Sequence, residues 1–155
     1  MKFSLGFCLI VFTLLSCSRQ KVEYDDNLKL EGFIKTKTSQ DVTVQDKNSL
    51  IVILQNEDCI CTDPDMELTK ELFKNDKFSS YQKTLIVSSK NHKIFKRIDN
   101  SFLKKITVIY NNENDLLKAG YVAMTDRVIV YEKGICSYYA DLHIKKPDIA
   151  RDELL

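Results

Sequence analysis

The residues best suited to do chemistry are two cysteines, Cys59 and Cys61, separated by one isoleucine. Two thiols this close can join in a disulfide or, as thiolates, hold a soft ion such as Cu(I). A disulfide across C-x-C closes a tight ring with little dihedral freedom, so such a bond is expected to be strained and readily reduced. Glu57 and Asp58 stand directly before the pair, and their negative charge disfavours a thiolate at Cys59. A copper site would need a further ligand, and the chain offers only His92 and His143. Neither has a ligand-like neighbour in sequence. No glycine-rich phosphate loop, Ser/His/Asp arrangement or H-E-x-x-H motif occurs.

The elements around the pair are legible. Leu50-Ile-Val-Ile-Leu54 is a continuous apolar run, the pattern of a strand covered on both faces. After the cysteines, Thr62-Asp-Pro-Asp65 predicts a helix start. Thr62 or Asp63 can cap it, Pro64 suits the first turn, and Asp65 favours the positive end of the helix. Leu68, Leu72 and Phe73 supply that helix's buried stripe. Further strands are predicted at 42–45, 85–88 and 106–110, with helices around 91–104 and 114–119. A closing hairpin is predicted from Arg127–Tyr131 and Ile135–Tyr139, with its turn at Lys133-Gly134. A last helix from Pro147 onward would cover one face. Strands separated by helices imply parallel pairing through right-handed crossovers, and the hairpin makes the sheet mixed. The fold class predicted is therefore α/β. Cys136 lies just past the hairpin turn, remote from the Cys59 end of such a sheet, and reads as a buried thiol.

The N-terminus carries an address. Lys2 is followed by an apolar run from Phe3 to Leu15 and then by Ser16-Cys17-Ser18. The run is too short to span a membrane, since Ser18-Arg-Gln-Lys21 closes it, and it reads as a secretory signal peptide. Leu14-Leu-Ser-Cys17 resembles the bacterial lipobox, which implies that Cys17 is acylated and becomes the mature N-terminus. Cys8 leaves with the signal. The expected organisation is a signal peptide at 1–16, the lipidated Cys17 and a tether at 17–40, and a folded domain at 41–155. The tether could reach at most roughly 75 Å, and an early strand is possible within it because Leu28, Leu30 and Phe33 are apolar. Lipid on Cys17 would hold the domain on a membrane outside the cytoplasm, where disulfides persist.

Charge excludes other classes. The 155 residues carry 23 Lys+Arg against 22 Asp+Glu, so no surplus points to a nucleic-acid partner. With 44% apolar and 29% charged residues, 4 Gly and 2 Pro, the chain has the balance of one globular domain. The cations between Lys90 and Lys105 read as a solvated face.

The order of elements from about 42 to 145 resembles the thioredoxin-like superfamily, and Val108–Ala119 with the following hairpin looks like its TlpA-type redoxins. That resemblance implies a mixed sheet flanked by helices and thiol–disulfide exchange without a cofactor. Cys59 matches the attacking cysteine, and Cys61 stands near the resolving one but one residue early. Where the family carries a cis-proline facing the active site, this chain has Thr125-Asp126, which would line the substrate groove. The acid often buried six residues before the first cysteine is Ile53 here. The partners implied are protein thiols or disulfides and a membrane, in a bacterial cell envelope. Two other readings stay open: a redox-inert thioredoxin fold serving as a binding module, and a Cu(I)-binding envelope protein.

Overall fold

The computed structural model describes residue 26 and residues 28–38, 47–56 and 62–155. Among the described residues five strands form one sheet: β1 (Ser49–Leu54), β2 (Gln82–Val87), β3 (Thr107–Tyr110), β4 (Arg127–Glu132) and β5 (Ile135–Asp141), in the order β3-β2-β1-β4-β5. β1, β2 and β3 run parallel, while β4 is antiparallel to both β1 and β5. The helices are α1 (residues 28–37), α2 (Thr62–Lys74), α3 (Asn100–Leu103), α4 (Asp115–Lys118) and α5 (Pro147–Leu154).

β1 is the centre of the sheet, and all six of its residues are buried. Successive strand side chains point to opposite faces, so a continuous apolar run serves two cores at once. Leu50, Val52 and Leu54 pack with Met66, Leu68, Leu72 and Phe73 of α2 and with Ala150 and Leu154 of α5. Ile51 and Ile53 face the other way, into a cluster with Leu30, Phe33 and Ile34 of α1, Leu116 of α4 and Tyr121. Helices on both faces give the three-layer, mixed-sheet architecture that the α/β reading predicts. α5 is also fastened to α2 by Arg151, whose Nε lies 2.6 Å from Glu71 Oε2.

Several local expectations change. The early strand through Leu28, Leu30 and Phe33 is the helix α1, and it belongs to the packed domain. Leu30, Phe33 and Ile34 fall at i, i+3 and i+4, which places them on one helical stripe, and each is at most 2% exposed. The expected helix over 91–104 is two short pieces. A 3₁₀ turn spans Lys93–Lys96, and α3 follows after Asp99, whose extended backbone (ψ 138°) interrupts the helix. The helix expected at 114–119 is shortened because Asn114 is left-handed (φ 60°), which ends a 3₁₀ turn before α4 begins. The hairpin turn stands where predicted, with Lys133 and Gly134 at φ 51° and 78°. The strand expected at 42–45 lies outside the described residues.

Candidate active site

β1 ends at Leu54 and α2 begins at Thr62, so Cys59 and Cys61 belong to the connection between them, past the carboxyl end of the central strand. The two cysteines, like Cys17, lie outside the described residues. The frame around their segment is described, and it can be built up from the ends of the elements. Parallel strands β2 and β3 finish at the same edge of the sheet as β1. β4 is antiparallel and therefore starts there, directly after Thr125-Asp126.

Asp126 does not line an open groove. It is 2% exposed, and its Oδ1 accepts the backbone N–H groups of Gln55 (2.7 Å) and Asn56 (3.2 Å), the first residues beyond β1. Its main-chain carbonyl accepts from Leu142 N–H at 2.8 Å, tying in the end of β5. The backbone donors just past β1 need a partner, and the buried carboxylate supplies it. Thr125 is half-buried, and its hydroxyl donates to Asp141 Oδ2 at 2.6 Å, so its side chain also supports the fold.

The second carboxyl in this frame is Asp65, in the first turn of α2 and only 7% exposed. It meets the Asp126 carboxylate. Burial, followed by the hydrogen bond and the negative charge of Asp126, pushes its pKa up to about 8. Asp65 therefore holds its proton at neutral pH. Reading Asp65 only as a partner of the helix dipole missed this. The signal was present in its spacing, because 65, 68, 69 and 72 form one helical stripe and Leu68, Thr69 and Leu72 are fully buried. On the solvent side of the same helix, Arg97 reaches from the loop after β2 to Asp63 (Nη2 to Oδ1, 2.8 Å) and Glu67 (Nη1 to Oε1, 3.1 Å). Asp63 is thus inside the helix and paired, not its cap.

Beside the end of β1 lies a cleft of about 280 Å³. Its polar lining is entirely carboxamide (Gln55, Asn56, Asn111 and Asn114), and its apolar lining includes Leu117, Val122 and Met124. Among the described residues no charged side chain lines it. Asn111 is fixed there, its Nδ2 donating to Gln55 Oε1 at 2.7 Å and its Oδ1 accepting Leu116 N–H at 2.8 Å. Leu117, Val122 and Met124 are 51%, 54% and 76% exposed, an apolar rim formed by α4 and the loop that leads to Asp126. This cleft has no direct signature in the sequence, because its walls come from three separate stretches of chain.

The histidines are not brought together. His92 follows β2 and is 1% exposed, with Nδ1 accepting the N–H of Ile94 at 3.2 Å. His143 follows β5 and is exposed. Those strands are three places apart in the sheet, about 14 Å at ordinary strand spacing. Among the described residues no three His, Cys, Asp or Glu side chains gather as a metal site would require. Cys136 is a half-buried thiol opposite Tyr131, at the hairpin end of the sheet and far from the connection that carries Cys59 and Cys61.

Two solved structures are similar to the chain. One is a secreted Mycobacterium tuberculosis disulfide oxidoreductase homologous to E. coli DsbE, with a TM-score of 0.52 at 9% identity over 75% of this chain and 87% of that one. The other is the solution structure of a Neisseria meningitidis protein provisionally described as a thioredoxin, with a TM-score of 0.47 at 12% identity over 71% and 74% of the two chains. No family model and no curated protein matches the sequence. At 9% identity the likeness to the first of these is one of fold alone. The chain has the thioredoxin-like fold.

Proposed function

We propose that the protein is a thiol–disulfide exchange protein of the bacterial cell envelope, acting through Cys59 and Cys61 and held to a membrane by lipid on Cys17. The observation that carries this reading is the position of the cysteine segment in the chain order: it leaves the central strand of a thioredoxin-like sheet and enters α2. In the reducing direction the Cys59 thiolate attacks one sulfur of a substrate disulfide and releases the other as a thiolate. The Cys61 thiolate then attacks the Cys59 sulfur, freeing the second substrate thiol and leaving the Cys59–Cys61 disulfide. Oxidation of a dithiol substrate is the reverse sequence. No cofactor is needed. The described lining of the cleft beside Gln55 and Asn56, carboxamides rimmed by Leu117, Val122 and Met124, suits an apolar or amide-bearing stretch of a protein substrate. The extracytoplasmic location draws support from the signal-like N-terminus and from the secreted disulfide oxidoreductase of similar fold.

The test is insulin reduction together with refolding of a scrambled disulfide substrate, on a soluble form starting at Ser18. Activity that vanishes in Cys59→Ser supports exchange. Equal inertness of wild type and Cys59→Ser transfers the fold to the second reading, a redox-inert binding module. That reading is favoured by the buried Asp126 standing where the family carries its proline. Tight Cu(I) binding lost on changing either cysteine would select the copper reading instead.

A further inference from the structure

We propose that Asp65 and Asp126 share a single proton, and that this proton fastens together the two ends of the segment that carries Cys59 and Cys61. The upstream end is held because Gln55 and Asn56 donate their backbone N–H groups to Asp126 Oδ1. The downstream end is the first turn of α2, from which Asp65 reaches the same carboxylate. Asp126 Oδ2 is buried, and no N–H or hydroxyl of the described residues reaches it. A proton on Asp65 supplies the missing donor: the Asp65 O–H donates to Oδ2, and the pair carries one negative charge instead of two.

The surroundings enforce that sharing. On α2, Asp63 and Glu67 turn to Arg97, and Lys70 lies 3.3 Å from Glu67. On β4, Arg127 lies between the rings of Tyr121 and Tyr139 and beside Asp141 of β5. The end of β1 contributes only amides. Among the described residues, then, no cation answers the pair, and two N–H donors compensate one charge but not two. Loss of the proton would set two like charges in contact and part α2 from the end of β1. Burial and Asp126 place that loss at about pH 8, so the fastening weakens on the alkaline side of neutrality. The fastening itself does not depend on the proposed redox chemistry; its effect on thiol reactivity rests on that reading.

The test compares the full chain with Asp65→Asn, whose side-chain amide donates to Asp126 at every pH, and with Asp65→Ala, which has no donor. Amide hydrogen exchange at Gln55 and Asn56 is followed from about pH 6 to about pH 9 and corrected for the intrinsic base catalysis of exchange. Wild-type protection is expected to fall about tenfold across this range, the loss of roughly one hydrogen bond. It should stay constant in Asp65→Asn and low throughout in Asp65→Ala. Parallel profiles in wild type and Asp65→Asn would overturn the proposal. Iodoacetamide alkylation of Cys59 supplies a positioning readout: above pH 8 the wild-type rate should exceed that of Asp65→Asn, and equal rates would overturn the link to the thiols. If exchange protection diverges as expected while the insulin assay finds no activity, the shared proton stands and the redox reading falls.

Discussion

Phe33→Ala tests whether α1 is part of the cooperative domain. Phe33 is 2% exposed and packs in the cluster of Leu30, Ile34, Ile51, Ile53, Ile129 and Tyr131. Truncating a buried Phe to Ala removes the transfer free energy of the ring and leaves a cavity, a loss of about 3–5 kcal/mol. α1 packs on the sheet from one side only, so the helix can settle toward the cavity and the lower end applies. The expectation is therefore about 3 kcal/mol, a large share of a domain's usual stability of about 5–15 kcal/mol. For a chain of this length that is a fall in Tm on the order of 10 °C. Leu28→Ala, on the same helix but 41% exposed, should cost under about 1 kcal/mol. Urea unfolding of both variants, at constant m, gives the comparison. Equal midpoints for the two variants would refute the placement of α1 in the core.

Gly32→Ala should stabilise by about 0.5–1 kcal/mol, since it sits in a helix with open space around it, whereas Gly134→Ala should destabilise by about 1 kcal/mol because its φ is 78°. Urea midpoints moving in the same direction for both would contradict the assignment. Burial pushes the Tyr121 phenol up to about 12, with Arg127 opposing, and burial with Glu153 beside it raises Tyr138 further. Both phenols hold their protons longer folded than unfolded, so their contribution to stability is present below pH 10 and is lost as pH rises from there through about 12. Ultraviolet titration should show these tyrosines ionising later in the native protein than in urea, and superimposable curves would count against their burial.

The centre of the fold was legible because it rests on patterns that survive any tertiary context. The unbroken run Leu50–Leu54 could only be a strand with two covered faces, Leu68, Leu72 and Phe73 marked the inner side of α2, and Lys133-Gly134 marked a turn. α1 was less legible because Leu28 and Leu30 alternate as in a strand, whereas Leu30, Phe33 and Ile34 satisfy the helical period. Short 3₁₀ turns at Lys93–Lys96 and Asn112–Asn114 were not legible, since the backbone at Asp99 and Asn114 sets them. In the site, the strand-to-helix position of Cys59 and Cys61 was read from order alone. The inward turn of Asp126 was not, because its donors at Gln55 and Asn56 lie 71 and 70 residues away. Long-range hydrogen bonding leaves no periodic trace in sequence.

The docking of residues 28–37 on the sheet also fixes a working distance. If Cys17 carries lipid as proposed, only residues 18–25 separate it from the helical residue 26, a span of at most about 28 Å where a tether running to residue 40 would allow more than twice that. The domain would then work in a thin shell above the bilayer, meeting clients that are themselves membrane-bound or emerging from it far more often than those diffusing freely beyond.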